Sequence, residues 1–436
     1  MPPLQMWGGV ECTVSRVGGD YIDQLELTGH AQRLDDIDRI ASLGVYAVRY
    51  PVLWERTAPR GLLSADWSWA DQRLAKLREY HITPIVGLLH HGSGPSETSL
   101  DDPAFPARLA AYARACAVRY PWIEWIAPVN EPLTTARFAG LYGHWYPHAR
   151  SDRSFVQMLL NECLAVRAAV AAVRSVAPDA RLIQTEDLGH AHACSPLGYQ
   201  ADFENERRWL TWDLLCGLVT RTHPMYKYLR QCGASASQLD ELADDPCPPD
   251  VIGIDHYVTS ERYLDADVTS YPACCVGGNG IDRYADVEVA RARPEIRRGA
   301  AALLRDAWNR YHIPIVITEA HLSCDDERER VRWLLELWTA ATAARDEGCD
   351  VRAVTAWALF GASGWDALST RRDGRYDAGA FDVAAGEPGV PRETAVARAV
   401  RSLALNGCCD DEALCAPGWW QCAEPAHAAG ATVALH

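Results

Sequence analysis

Eight short apolar runs rich in β-branched residues recur along the 436-residue chain, most followed by a longer stretch with helical character. No other feature narrows the possible folds as far. The runs are Leu4–Gly8, Val45–Pro51, Thr83–Leu89, Trp125–Val129, Arg181–Thr185, Asp250–His256, Ile313–Thr318 and Arg352–Leu359. Between them, Leu34, Ile37, Ile40 and Leu43 show helical spacing, as do Leu74, Leu77 and Tyr80, and then Leu109, Tyr112, Cys116 and Tyr120. Residues Arg297–Tyr311, Glu327–Glu347 and Pro391–Leu405 read as later helices. Eight strands separated by helices imply an α/β fold with a parallel sheet, and at this length closure into a (β/α)8 TIM barrel. An open doubly wound sheet is the alternative. No GxGxxG opens a helix after the first strand, which counts against a dinucleotide fold.

No Pro-, Gly- or Ser-rich linker splits the chain, so 1–405 is expected to be one barrel domain with loop insertions around strand six. The insertions are Cys216–Pro249 and Ser260–Arg293; the second reads as a long ordered loop over the barrel mouth. A tail, 406–436, carries Cys408, Cys409, Cys415, Cys422 and Trp419-Trp420 and is expected to pack on the barrel. The net charge of −16 argues against nucleic acid and anionic membrane as partners. No apolar run reaches the ~18 residues of a membrane span, and the start MPPLQMWGG shows no secretory pattern. A cytoplasmic location follows, with the fifteen cysteines reduced. No CxxC pair points to zinc. Oligomeric state is left open.

In such a barrel the reactive groups stand at the C-terminal strand ends. The fourth run ends in Asn130-Glu131-Pro132 and the seventh in Thr318-Glu319-Ala320-His321. Closure brings these two carboxylates to one rim. Two facing carboxylates suffice to break a glycosidic bond, one protonating the leaving oxygen and the other attacking the anomeric carbon or activating water. A metal-dependent hydrolase using His90, His91, His256 and His321 is a rival, but the HxH pair expected on strand one is missing. A non-catalytic sugar-binding barrel and a transglycosylase with the same carboxylates are further alternatives.

The motifs now resemble those of a known group, the retaining 4/7 glycosidases, and within it glycoside hydrolase family 1. Trp125 to Pro132 is similar to that family's WxTxNEP strand, and Gly140 to Pro147 resembles its GYxxGxxxP loop. Asp250 to Tyr257 is similar to DFxGINYY. Trp357-Ala358-Leu359, Trp365, Arg375-Tyr376 and Asp382 resemble WSLxDNFEW…RFG…VD. The resemblance implies Glu131 as acid/base and Glu319 as nucleophile, with no cofactor and no metal. It implies Asn130 on the sugar 2-hydroxyl, Arg49 keeping the nucleophile ionised, Tyr257 donating to Glu319, His90 on a sugar hydroxyl and Trp357 as an apolar platform. Tyr142 and Trp145, in the loop after strand four, are read as sugar contacts.

Departures from the pattern are confined to the groups that read the sugar. The family's strand-one Gln falls where this chain has Glu11-Cys12-Thr13-Val14-Ser15. Its strand-eight Glu corresponds to Gly364, its ENG to Glu319-Ala320-His321, and its Asn-Tyr on strand six to Asp255-His256. Glu11, Asp255, His321, Trp365 and Asp366 are the candidates to take over sugar recognition. No clear basic pair marks a 6-phosphate site; Arg371 and Arg372 are nearby at most. The expected activity is therefore hydrolysis of a small carbohydrate glycoside by a retaining β-glycosidase, β-glucosidase-like with altered sugar recognition.

Overall fold

The computed structural model describes residues 2–385, 389–409 and 416–422. Eight parallel strands close into a barrel: β1 (Gln5–Gly9), β2 (Ala47–Pro51), β3 (Thr83–Gly87), β4 (Trp125–Ala127), β5 (Arg181–Asp187), β6 (Val251–Asp255), β7 (Ile315–Ala320) and β8 (Val351–Ala356). Neighbours pair in sequence order, and β1 pairs with both β8 and β2, which completes the ring. All eight strand segments read from the sequence are present.

Side chains alternate in and out along each strand, so a closed barrel stacks its inward residues in layers. The floor is one apolar residue from every strand: Trp7, Ala47, Ile85, Ala127, Ile183, Val251, Val316 and Ala353. Two residues further on, every strand but the fourth, where Val129 follows, changes character, to Gly9, Arg49, Gly87, Thr185, Gly253, Thr318 and Thr355. A Cβ on Gly253 would lie 2.8 Å from Thr185 Cγ2 and 3.0 Å from Thr318 Cγ2, which places both threonines inside this second layer. The apolar floor excludes water beneath a polar, space-limited layer, and the strand ends stand above it.

Helices form the outer shell: α1 (Asp36–Ser42), α2 (Ser68–Glu79), α3 (Phe105–Arg119), α4 (Asp152–Arg174), α5 (Leu210–Leu215), α6 (Gly299–Tyr311), α7 (Glu327–Asp346) and α8 (Ala395–Asn406). In α3 the buried set Leu109, Tyr112, Ala113 and Cys116 is the i, i+3, i+4, i+7 stripe of a core-facing helix. Ser151 caps α4, its hydroxyl accepting the Ser154 N–H at 3.1 Å. Periodicity does not single out α4, because Val156, Met158, Leu159, Leu160, Asn161, Glu162 and Cys163 are buried almost all round it. Its length and composition would allow it to cross a membrane, yet 67% of its most apolar window is buried within the fold.

The insertion after strand six differs from expectation. It is not a loop: Glu261–Asp265, Val276–Gly278 and Arg283–Glu288 form a four-stranded sheet with His190–Ala193 from the β5 connection. Gly277 and Gly278 end one strand of an antiparallel hairpin, and Asn279-Gly280 begin its turn. In the tail, Trp420 packs edge-on against Trp333 of α7 at 5.2 Å, and its indole N–H donates to Glu336. Cys415 lies outside the described residues.

Gly9 links barrel to site, since a Cβ there would lie 2.3 Å from Cε3 of Trp357. Gly9→Ala is expected to cost about 1–3 kcal/mol through overpacking and to displace the Trp357 ring. Thermal unfolding and tryptophan fluorescence measure the two effects.

Candidate active site

Glu131 stands four residues past the end of β4, in the left-handed region at φ 45°, as the residue before the helix Pro132–Ala136. A bulky residue there is strained and must be held by its surroundings. The holder is Glu186 at the end of β5. Its carboxylate accepts the Leu133 N–H at 2.7 Å, the Thr134 N–H at 3.2 Å, the Thr134 hydroxyl at 2.8 Å and the Thr211 hydroxyl at 2.7 Å. The first turn after Glu131 is thus bolted to the neighbouring strand and to α5. Pairing between β3 and β4 continues past the regular strands as a parallel bridge between His90 and Asn130.

Glu319 comes from β7, whose register against β6 shifts between Ile317 and Glu319. Such an irregularity re-aims a side chain. Both oxygens of Glu319 have donors: Arg49 Nη1 at 2.6 Å on Oε1, and the Tyr257 hydroxyl on Oε2. The other arm of Arg49 donates to Asn130 Oδ1 at 2.6 Å, which also accepts the Thr185 hydroxyl at 2.7 Å. The Asn130 amide then faces His90 Nε2 at 3.2 Å and His91 Nε2 at 3.3 Å. Strands β2 to β7 therefore meet in one buried polar network.

One oxygen from each of Glu131, Asp255 and Glu319 lies within 4.8 Å of the other two. The triangle is small enough to hold a cation, and Arg49 is the cation beside it: Nη1 is 3.5 Å from Asp255 Oδ1. Burial pushes the carboxyl of Glu131 well above the usual range, and the charges of Asp255 and Glu319 add to the push. Glu319 is also raised, by burial first and then by Asp255, while Arg49 and the Tyr257 hydrogen bond pull it down. Arg49 acts in the expected direction, favouring the ionised form, and it works against burial and a third carboxylate. The histidines add no charge, because burial holds His90 well below its normal value and His91 down at about 3.

The remaining candidates divide. Trp357 is buried, stacks on His90 at 5.5 Å and 10°, and lies under the Arg49 guanidinium at 4.7 Å. Glu11 is buried, and its carboxylate accepts the Thr13 N–H at 2.9 Å and the Trp365 indole N–H at 3.2 Å. Trp365 stands edge to face with His91 and Trp145, which are tilted against each other, all with centroids 5.2–6.3 Å apart. Three other candidates are engaged elsewhere. His321 Nδ1 bonds the Trp357 carbonyl at 3.0 Å. Asp366 is turned into its own loop, accepting the Arg375 N–H at 2.9 Å and pairing with Arg371. The Tyr142 hydroxyl accepts from Arg137 at 3.1 Å. Glu186 was not legible as a site residue, for nothing local marks it; its position at a strand end of the inferred barrel was the available signal.

A closed eightfold barrel with carboxylates from strands four and seven in one buried cluster is the architecture of a glycosidase. The family model for glycosyl hydrolase family 1 matches residues 28–376, and the chain belongs to that family. It is 22% identical over 388 residues to a phospho-cellobiase of Klebsiella oxytoca, covering 81% of this chain and 80% of that one. It is 21% identical over 375 residues to the aryl-phospho-beta-D-glucosidase BglC of Bacillus subtilis, covering 76% and 77%. Its fold superposes on a beta-glucosidase from Thermotoga maritima in complex with methoxycarbonyl-substituted glucoimidazole, with a TM-score of 0.72, 17% identity and coverage of 92% and 97%. The protein is a glycoside hydrolase.

Glu186 gives a pH-dependent test of the support under Glu131. Burial pushes its carboxyl up to about 7 despite its donors. A group raised from 4.5 to about 7 adds stability that is complete below pH 4.5 and lost as pH rises through 7. Glu186→Gln removes that contribution, so the parent's margin in thermal unfolding over the variant should be larger at pH 5 than at pH 8. The variant should also lose kcat, because Glu131 is no longer held.

Proposed function

We propose that the protein is a retaining β-glycosidase acting on an unphosphorylated sugar, with Glu131 as acid/base and Glu319 as nucleophile. The observation that carries this is the short separation of the two carboxylates, within 4.8 Å oxygen to oxygen. Retaining enzymes place the groups about 5–5.5 Å apart, whereas inverting ones need about 6.5–9.5 Å to admit a water. The donors divide the roles. Glu319 receives a donor on each oxygen, which suits an anion that attacks. Glu131 has His91 Nε2 at 3.5 Å as its nearest basic neighbour, which leaves it to hold a proton.

In the first step Glu319 bonds to the anomeric carbon as the glycosidic bond breaks, and the proton of Glu131 goes to the leaving oxygen. Glu319 is then a neutral ester. With that charge gone, Glu131 takes a proton from water, whose hydroxide displaces the ester. Glu11, with Trp365, offers the carboxylate of the sugar-reading corner in place of a residue at Gly364 and binds hydroxyls there. Trp357 forms the platform under the ring.

The two sequence relatives are named for phosphorylated substrates and the structural neighbour is named a beta-glucosidase; the arginines near the strand-eight loop favour the unphosphorylated reading. Arg371 pairs with Asp366 and Asp373, Arg375 with Asp377, and Arg372 donates to the Tyr21 carbonyl. Transfer to an alcohol acceptor in place of water remains a second outcome of the same chemistry.

Glu319→Ala is expected to abolish release of nitrophenol from aryl β-glycosides. Added azide should restore it, yielding the α-glycosyl azide. Unimpaired turnover in the variant would overturn the assignment. The parent should cleave aryl β-glycosides faster than their 6-phosphates; the reverse preference would move the substrate to phosphosugars.

A further inference from the structure

Asp255, at the end of β6, is fully buried, and neither of its carboxylate oxygens has a hydrogen-bond donor. A buried carboxylate without a donor is expensive, so a partner must be supplied by something nearby. Arg49 does not supply it fully. Its Nη1 is committed to Glu319 at 2.6 Å and stands 3.5 Å from Asp255, and its Nη2 is committed to Asn130.

The other groups facing this cluster are quickly surveyed. From β1 comes the carboxyl of Glu11, and from the β3 end come the uncharged rings of His90 and His91. From β5 come Glu186, whose oxygens are filled by Leu133, Thr134 and Thr211, and Asp187, which accepts the Ser260 hydroxyl. From β6 itself comes Tyr257, whose hydroxyl goes to Glu319. None of these offers Asp255 a hydrogen. The remaining neighbours are Glu131 and Glu319, each with an oxygen within 4.8 Å, and both oxygens of Glu319 already accept from Arg49 and Tyr257, which leaves Glu131.

The geometry points to Asp255 as the positioning residue for the acid/base, with Glu131 and Asp255 sharing one proton as a carboxyl–carboxylate pair. Glu131 donates that hydrogen to Asp255 in the resting enzyme. The hydrogen bond aims the Glu131 carboxyl, and the charge of Asp255 keeps it protonated where an amide at this position would not. The inference rests on the glycosidase reading and adds a role to it. During the first step the shared proton leaves with the departing oxygen, as the C–O electron pair goes to that oxygen and Glu319 bonds to carbon. Arg49, relieved of the charge of Glu319, is then left to balance Asp255. In the second step water returns a proton to Glu131, and the pair re-forms.

The test is the near-isosteric Asp255→Asn, followed through the pH profile of kcat/KM on an aryl β-glucoside that needs acid help. The alkaline limb, which reports the acid in the free enzyme, should move down by about one to three pH units. Turnover of a 2,4-dinitrophenyl glycoside, whose leaving group needs no proton, should fall far less. Asp255→Glu should recover part of the shift. An alkaline limb that stays at the parent's position overturns the proposal.

A second measurement needs no folded Asp255 variant. In the parent labelled with ¹³C at glutamate side-chain carboxyls, and assigned by Glu131→Gln, the Glu131 signal should titrate in two linked steps. A single step at an ordinary carboxyl value overturns the pairing. If parent enzyme cleaves no glycoside and azide rescues nothing in Glu319→Ala, the glycosidase reading fails, while this titration still decides whether the proton is shared.

Discussion

The structure turns on one buried guanidinium. Arg49 is the cation that reaches Glu319, Asp255, Asn130 and the Thr318 carbonyl, and so joins β2 to the ends of β4, β6 and β7. Three carboxylates from separate strands cannot be brought together without water unless some charge is cancelled and some proton retained. One arginine cancels part of the charge. The rest is settled by protonation, which is what a general acid requires. The arrangement that makes the barrel mouth tolerable is thus the arrangement that makes it reactive.

The barrel supplies the setting by layering. An apolar ring of eight residues closes the floor, and small or hydroxyl-bearing residues follow two positions later, leaving room for the guanidinium. Above these, each reactive carboxyl is held by a feature of its own strand end. Glu131 is held by a left-handed backbone and the Glu186 anchor, Glu319 by a register shift. Rigidity is concentrated under Glu131, where three hydrogen bonds from the short helix that follows it to Glu186 keep that helix from drifting.

The two corners of the site differ in how their side chains are connected. Near the reacting bond, Glu131, Glu319, Asn130, Arg49 and Tyr257 form one connected set. At the far corner the carboxylate comes from Glu11 on the first strand's loop, tied to Trp365, while Gly364 carries no side chain.

The sequence by itself determined the strand count, the order of the barrel and the two carboxylates, because alternation of apolar runs and helices is a local property and Asn130-Glu131-Pro132 and Glu319 end their runs. It also showed that Gln, Glu and Asn of the related motif were replaced. It did not mark Glu186, whose partners Leu133, Thr134 and Thr211 lie 25 to 53 residues away. It misread the insertion after strand six, since Glu261–Asp265 finds its partner in His190–Ala193, far upstream. It could not tell that Asp366 serves its own loop while Asp255 faces Glu131 and Glu319. Those outcomes belong to the tertiary structure alone: which carboxyl keeps a proton depends on burial and on how donors are shared, and both arise only when distant strand ends meet in one closed ring.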